Sequence, residues 1–211
     1  MKKRFFSVFY MFLLTLFFTS VVSAVKLLNE ERIQINEKVK LQRVVLEVLG
    51  VPVKDIVSDV ELIRIFEQRV KSVTVQDRVV FEGYEEDGRT LSGYAFPVGG
   101  PGFWGPINAM VAVDPQGTSI LGIAFYRHSE TPGLGARISE RWFTEQFKGL
   151  KLFPLEEEKK IFYLKPEGTG AAPNELDAVT GATGTGRAVE AFLNRELDRV
   201  LRDFRAFKEK G

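Results

Sequence analysis

The stretch INAMVAVDPQGTSILGIAFY, residues 107–126, consists of two apolar segments separated by the four residues DPQG (114–117). Proline presets the backbone angle for the second position of a turn, and glycine tolerates a positive φ at its end. The two flanking segments are rich in β-branched and aromatic residues, which are typical of strands. The stretch therefore predicts a β-hairpin with strands over 107–113 and 119–126.

Strand signals recur upstream, and helical periodicity surrounds both sets of strands. Segments 79–84 and 90–98 flank the sequence EEDG (85–88), which is a second turn signal. Apolar residues recur at helical spacing before and after the strands. The remaining predicted elements are helices over 27–49, 55–70, 141–147 and 186–208 and a short strand over 161–165. Strands grouped in hairpins between helices predict an α+β fold with an antiparallel, hairpin-rich sheet and packed helices, rather than a doubly wound fold.

The N-terminus carries a basic triplet, KKR (2–4), followed by an uncharged apolar segment over 5–25. At about 1.5 Å per residue, a helix over this segment measures roughly 31 Å, enough to cross the hydrocarbon layer of a membrane. The basic triplet predicts an N-terminus inside and a body outside the cytoplasmic membrane. The sequence VSA at 22–24 also fits a signal-peptide cleavage site, so a retained anchor and a cleaved leader are both open. Either way, the folded body is expected outside the cytoplasm.

Composition excludes several kinds of chemistry. The 29 basic residues are balanced by 28 acidic ones, which gives no electrostatic case for binding nucleic acid. The chain has no cysteine, so disulfides, thiolate metal sites and thiol nucleophiles are excluded. His128 is the one histidine and cannot build a zinc site without carboxylates, so no metal site and no catalytic residue is predicted. The chemistry must rest on carboxylates, hydroxyls, backbone groups or a bound cofactor.

A cluster of threonines and glycines precedes the last predicted helix in DAVTGATGTGRAVEAF (177–192). The cluster fails the phosphate-loop pattern, because Arg187 replaces the lysine and Ala188 replaces the magnesium-binding hydroxyl. Free backbone N–H groups at a helix start nevertheless favour an anion, and Arg187 adds a positive charge there. The alternative is an ordinary threonine N-cap with glycines supplying the turn.

The segment DAVTGAT (177–183) resembles the flavinylation motif D-x-x-[ST]-G-A-T of the FMN-binding domain family. That family includes the flavin-carrying subunit of the Rnf electron-transport complex and its counterpart in the sodium-translocating NADH:quinone reductase (Nqr). The resemblance implies that Thr183 forms a phosphoester with FMN. An FAD-dependent flavin transferase would attach the FMN, since a threonine hydroxyl is a poor nucleophile unaided. The other residues to which the resemblance and the helix-start argument give a cofactor role are Asp177, which the transferase would recognise, Thr180, Gly181 and Ala182, which present the acceptor, and Arg187.

A second segment, ETPGLG (130–135), resembles a motif of the same two flavin-carrying subunits. Proline and two glycines after a strand form a shaped loop, which could be only a connector. The resemblance implies a flavin site instead, with Glu130 and Thr131 as hydrogen-bond groups for the polar edge of the flavin. Leu134 would cover a face of the ring. His128, just outside the motif, is expected to be a surface histidine.

A third segment, GFWGP (102–106), resembles the glycine-aromatic loop of the quinone reductase protein. Trp104 on this loop would stack on or shield the flavin, or would be a buried residue at the end of a hairpin. One departure from the relatives is Gly184-Thr185-Gly186, which follows the acceptor and leaves the start of the last helix undetermined. Thr185 is not expected to carry the cofactor.

The resemblance implies a membrane-anchored electron carrier with covalent FMN, acting within an ion-translocating electron-transport complex of the Rnf or Nqr type. Its partners would be the other membrane subunits, and it would be a single-pass protein of the cytoplasmic membrane with the FMN domain on the extracytoplasmic side. The expected organisation is a membrane anchor over 1–25, a helical spacer over 26–75 and an FMN-binding domain over 76–211. The alternative is a secreted or anchored binding or scaffold protein that has the same fold and carries no flavin.

Overall fold

The computed structural model describes residues 2–53, 56–75, 78–152 and 160–208. The chain divides into two compact units, Met1–Lys40 and Leu41–Gly211. Helix α1 (Lys2–Val48) begins in the first unit and ends in the second. All strands and the other helices of the described residues belong to the second unit.

The first unit consists of the greater part of α1. Every side chain of residues 5–25 is exposed, although this segment is apolar throughout. Among the described residues, Phe5–Val48 is the one helix long and apolar enough to cross a membrane, and it contains an 18-residue window with a mean hydropathy of 2.2. A signal sequence meets the same criterion, so anchor and leader both stand. The separate helix expected over 27–49 is the continuation of this helix, because no glycine or proline interrupts residues 2–48.

The end of α1 lies in the core of the second unit. Gly50 adopts φ 84°, and the amides of Gly50 and Val51 donate to the carbonyls of Glu47 (3.0 Å) and Leu46 (3.0 Å). This is the glycine-terminated pattern that satisfies the last carbonyls of a helix. The helix end packs on the sheet, since a Cβ placed on Gly122 would lie 2.7 Å from the carbonyl oxygen of Val48.

The sheet is a five-stranded antiparallel meander, and it contains both predicted hairpins. Its strands, in chain order and in spatial order, are β1 (Val70–Val75), β2 (Arg78–Tyr84), β3 (Leu91–Pro101), β4 (Pro106–Val113) and β5 (Ile120–Arg127). The hairpin of β4 and β5 turns through DPQG, where the side chain of Asp114 accepts hydrogen bonds from Thr118 and Ser119. Pairing across this hairpin matches Met110 with Ala124 and Val111 with Ile123.

The region before the sheet differs from the expectation. The sequence predicted a helix over 55–70 within a helical region that extended to residue 75, whereas helix α2 covers Asp59–Arg69 and is followed directly by β1 at Val70. Asp55, the expected start of this helix, lies outside the described residues. The β-branched sequence VKSVTV suits a strand, and its pairing with β2 fixes it as one.

The second layer follows the sheet in the chain. It consists of a 3-10 turn (Gly135–Ser139), α3 (Arg141–Glu145), β6 (Tyr163–Lys165), β7 (Glu175–Asp177) and α4 (Thr183–Lys208). The short strands β6 and β7 pair in parallel, and β7 was not predicted. Helix α4 begins at Thr183, three residues before the expected start.

The core lies between the sheet and this second layer. Phe143, Phe147 and Phe162 form a chain of edge-to-face contacts, with ring centroids 5.6 and 5.1 Å apart, and all three are fully buried. Helix α4 approaches β3 closely, because a Cβ on Gly100 would lie 2.3 Å from the Cβ of Phe192. This contact fixes the first turns of α4 against the end of the sheet at which the glycine-aromatic loop lies.

Candidate functional site

The segment 177–183 forms a tight turn between β7 and α4. Asp177 is the last residue of β7, and Thr183 is the first residue of α4. Between them, Gly181 adopts φ 78°, a left-handed conformation that favours glycine. Val179 and Ala182 are buried, with 4% and 6% of their surface exposed, and they fix the turn in the core. The turn leads the chain directly into the first residue of the helix.

The three threonine hydroxyls of this region have different surroundings. Thr180 is exposed, and its hydroxyl donates to Glu167 Oε2 at 2.7 Å. Thr185 is only 4% exposed, and its hydroxyl donates to Glu130 Oε2 at 2.6 Å. Thr183 is exposed, and no hydrogen bond engages its hydroxyl within the described part of the chain. Thr183 is therefore the hydroxyl of the three that is both accessible and free to react.

A cleft of about 390 Å³ opens beside Thr183, between β6 and the first turns of α4. Its lining includes Lys165, Glu167, Thr180, Thr183, Arg187 and Glu190. Thr183 and Arg187 lie four residues apart on α4, so both are on one face of the helix. Within the described residues the Arg187 side chain has no carboxylate partner, whereas Lys165 pairs with Glu175 at 3.4 Å. The cleft therefore combines a free hydroxyl, a free guanidinium and the N-terminus of a long helix, which together suit a phosphate group.

Exposed apolar side chains flank the turn at 177–183. Phe103 is 60% exposed, Trp104 68% and Leu134 45%. The ring of Phe103 lies on the first turn of α4, because a Cβ on Gly184 would be 2.4 Å from it. Leu134 lies beside Gly181, at 3.3 Å from the corresponding Cβ position. These side chains present an apolar surface beside the turn, and the high exposure of Trp104 excludes the alternative that it is a core residue.

Glu130 does not present its carboxylate at the surface, where a contact with a flavin was expected. The residue is 5% exposed, and its Oε1 accepts hydrogen bonds from the amides of Phe103 (2.8 Å) and Trp104 (3.2 Å). Its Oε2 accepts the hydrogen bond from Thr185. Both oxygens of this carboxylate already accept hydrogen bonds from protein donors, so Glu130 is not available for the expected contact with the edge of a flavin. Its role lies inside the protein.

The rest of the 130–135 loop is exposed up to Gly135. The carbonyl of Thr131 accepts hydrogen bonds from Leu134 and Ala136, each at 3.1 Å, so the loop closes on itself and its side chains face outward. Gly135 is buried, and a Cβ there would lie 2.4 Å from the Thr185 hydroxyl. His128 Nε2 contacts the Ser139 hydroxyl at 2.9 Å, and Nδ1 accepts from the Glu130 amide at 3.3 Å. His128 therefore supports the loop.

Asp177 is tied to neighbouring segments by its side chain and its backbone. Its Oδ1 accepts a hydrogen bond from the Gly168 amide at 2.9 Å. Its backbone N–H and C=O are both bound by the side-chain amide of Gln146, at 2.7 and 3.2 Å. The side chain thus orders the loop after β6, which forms one wall of the cleft.

Two residues of the site were missed at the level of the sequence. Phe103 was a visible neighbour of Trp104, but nothing local indicated that its ring would lie on α4. Thr185 follows the motif, so the sequence alone gives it no role at the site. The glycines at 102, 135 and 184 were the available signal, since each marks a point where a Cβ would collide with a site side chain.

Residues 102–198 match the FMN-binding domain family. This range includes the loop at 102–106, the 130–135 loop, the turn at 177–183 and most of α4.

The chain is similar to C subunits of the Na(+)-translocating NADH-quinone reductase of several bacteria. It is 33% identical over 108 residues to the C subunit of the Na(+)-translocating NADH-quinone reductase of Yersinia pestis, a match over 51% of this chain and 41% of that protein. It is 44% identical over 68 residues to the same protein of Chlamydia pneumoniae, over 32% of this chain and 21% of that protein. The matches thus span well under two thirds of the length of these relatives.

Solved structures of this C subunit share the fold. The structure from Parabacteroides distasonis superposes with a TM-score of 0.67 and 26% identity, over 81% of this chain and 94% of that one. NqrC of Shewanella oneidensis gives a TM-score of 0.63 and 25% identity, over 77% and 96%. The α+β prediction is therefore confirmed for the greater part of the chain.

Proposed function

We propose that this chain is a membrane-anchored flavoprotein electron carrier in which FMN is bound covalently to Thr183 through a phosphoester. It would act as one component of an ion-translocating electron-transport complex of the Nqr or Rnf type. The observation that carries the proposal is the exposed hydroxyl of Thr183, which lies in one cleft with Arg187; among the residues that the structure describes, neither side chain has a hydrogen-bond or carboxylate partner. When bound, FMN supplies reversible one- and two-electron transfer, which the side chains of this site cannot supply themselves.

Attachment requires an external catalyst. The residues near Thr183 include no group hydrogen-bonded to its hydroxyl, so the described part of the chain offers no base to activate it. An FAD-dependent flavin transferase would form a bond between the Thr183 oxygen and the phosphorus of the FMN half as the pyrophosphate bond of FAD breaks. AMP leaves, and the hydroxyl proton passes to the transferase. Asp177 and the ordered loop that it holds would form part of the surface that the transferase recognises.

The neighbouring residues then divide into two groups. Arg187 and the first amides of α4 balance the negative phosphodiester. Thr180, Gly181 and Ala182 shape the turn that presents it, and Gly181 supplies the required positive φ. Leu134, Trp104 and the exposed loop at Thr131 lie where they can cover the ring. Because the tether supplies affinity, these contacts would set the orientation and the electronic properties of the flavin.

The apolar part of α1 supports a location in the cytoplasmic membrane. We place residues 1–25 as the anchor and 76–211 in the FMN-binding domain, with this domain on the extracytoplasmic side. Of the region expected to be a helical spacer, 26–75, residues 70–75 form β1 and so belong to the sheet of that domain. Covalent attachment suits that side, where a dissociating flavin would be lost. The partners would be the other membrane subunits of the complex.

The test is flavin fluorescence in a denaturing gel of the full chain, co-expressed with a flavin transferase. Only covalent flavin survives denaturation, so the parent should fluoresce and Thr183→Ala should not. Thr169→Ala is a matched control, because it removes another exposed hydroxyl, which donates to the carbonyl of Pro166. If the parent carries no flavin after co-expression, the chain is a binding or scaffold protein of the same fold and the proposal fails.

A further inference from the structure

A buried carboxylate–hydroxyl pair joins two distant parts of the chain behind the acceptor turn. Glu130 and Thr185 are 55 residues apart, and both are at least 95% buried. Burying a carboxylate is costly unless hydrogen bonds compensate it. Here three donors point at the two oxygens, from Thr185 and from the amides of Phe103 and Trp104. An apolar side chain at position 130 could not accept these three hydrogen bonds.

The carboxylate fixes the two aromatic residues through their backbone. Their amides share Glu130 Oε1, and the loop that carries them is closed by a hydrogen bond from the Gly102 amide to the Gly105 carbonyl at 2.8 Å. The two rings meet edge to face, with centroids 5.2 Å apart. Both side chains are largely exposed, although the ring of Phe103 lies on the first turn of α4 at Gly184. The hydrogen bonds to Glu130 constrain the backbone from which both rings project.

Glycines leave the space in which the pair sits. A Cβ on Gly102 would lie 2.5 Å from Glu130 Oε1, and one on Gly135 would lie 2.8 Å from Oε2. The same Cβ on Gly135 would approach the Thr185 hydroxyl to 2.4 Å. The aromatic loop, the 130–135 loop and α4 can converge on the carboxylate only because these positions lack side chains.

The pair acts on the same helical turn that presents the acceptor. In an α-helix, residues two positions apart are separated by about 200° around the axis. Thr185 therefore points inward to Glu130 while Thr183 points outward to solvent, which agrees with their burial. Gly184, between them, receives the ring of Phe103. The inner hydroxyl thus couples the aromatic loop to the turn from which the cofactor would hang.

We infer that Glu130 and Thr185 are positioning residues that hold Phe103 and Trp104 against the first turn of α4, so that these aromatics face a flavin carried on Thr183. The orientation of the aromatics toward a flavin rests on the proposed function. The set of hydrogen bonds from Thr185 and from the amides of Phe103 and Trp104 to Glu130, which we call the brace, does not. Glu130 makes no contact with the ring; it acts on the flavin by holding the loop and, at longer range, through its negative charge.

The brace is tested first without any substitution. In the full chain produced without flavin transferase, the amides of Phe103 and Trp104 should exchange slowly with deuterium, because they are bonded to a buried carboxylate. The amide of Gly133, in an exposed loop, is the internal comparison. Exchange of the Phe103 and Trp104 amides as fast as that of Gly133 would overturn the inference.

Substitution of Thr185 is the second test, in a Trp142→Phe background that leaves Trp104 as the only tryptophan. Thr185→Val keeps the shape and removes the hydroxyl, whereas Thr185→Ser keeps the hydroxyl and removes a methyl group. We expect acrylamide to quench Trp104 emission more strongly in Thr185→Val, and Thr185→Ser to behave as the parent. Equal quenching in folded Thr185→Val and parent would overturn the inference. If Thr185→Val does not fold, the exchange experiment decides.

The flavin-loaded form gives the third readout. Thr185→Val should keep covalent flavin by intact mass but lose much of the visible circular dichroism of the flavin, because its aromatic neighbours are no longer fixed. An unchanged dichroism with full loading would contradict the orientation toward the flavin. If the parent protein takes up no flavin, the proposed function is refuted. The quenching and exchange measurements then test the brace by themselves, because they need no flavin.

Discussion

Thr183→Ala should abolish flavin attachment while leaving the stability of the fold nearly unchanged. The Thr183 side chain is exposed, and within the described residues its hydroxyl makes no hydrogen bond that the substitution could break. Alanine is also the better helix former, by less than about 0.7 kcal/mol. These two facts predict a free energy of unfolding within about 0.5 kcal/mol of the parent, as for most surface substitutions. Flavin attachment, in contrast, should be abolished.

Thr185→Ala gives the opposite result at a neighbouring residue of the same type. It removes a buried hydrogen bond to a carboxylate and leaves one oxygen of Glu130 short of a donor, which should cost about 1.5–3 kcal/mol. At about 2–4 °C per kcal/mol for a domain of this size, the melting temperature should fall measurably. Flavin should remain attached, because the Thr183 hydroxyl is untouched.

The assay measures two quantities on each variant. Urea unfolding of flavin-free protein gives the change in stability, and intact mass after co-expression with the transferase gives the flavin content. Flavin-free protein is used for stability so that the tether itself does not contribute. FMN still attached to Thr183→Ala, or lost from folded Thr185→Ala, would refute the assignment of the acceptor. A loss of several kcal/mol in Thr183→Ala would refute the reasoning from exposure.

Three further predictions concern the cleft, the carboxylate and the core. Arg187→Ala should slow flavin attachment in a time course followed by intact mass while Arg187→Lys retains part of the rate, because a cation near the phosphate is then kept; equal rates for all three proteins would remove Arg187 from the site. Glu130→Gln should keep the loop in place, since the glutamine oxygen can accept from the amides of Phe103 and Trp104 and the Thr185 hydroxyl can accept from the glutamine N–H. It should raise the flavin midpoint potential in a redox titration, because the negative charge of Glu130 disfavours the reduced anion. An unchanged or lowered potential at full loading would mean that this charge does not act on the flavin. Phe143→Ala should lower the free energy of unfolding by about 3–5 kcal/mol in urea, because its fully buried ring contacts three other aromatic rings; a loss below about 1 kcal/mol would show that the core can collapse around the cavity.

The sequence by itself determined the features whose causes are local. The turn DPQG and the strand-forming segments beside it specify the hairpin of β4 and β5, because turn chemistry acts within four residues. The uncharged segment 5–25 specifies a helix long enough for a membrane, because length and hydropathy are properties of the segment alone. The acceptor motif at 177–183 could be identified for the same reason, since its residues are contiguous and its resemblance needs no fold.

The tertiary structure decided everything that depends on partners distant in the chain. Strand β7 has three residues and is a strand only because it pairs with β6. VKSVTV became β1 because β2 lies beside it. Whether the Thr183 hydroxyl has a partner among the described residues, and how far Trp104 is exposed, depend on how the surrounding loops pack. The hydrogen bond from Thr185 to Glu130 joins residues that are 55 positions apart. A sequence shows which groups are present, but burial and hydrogen bonding depend on which groups meet, and the packing of the whole domain sets that.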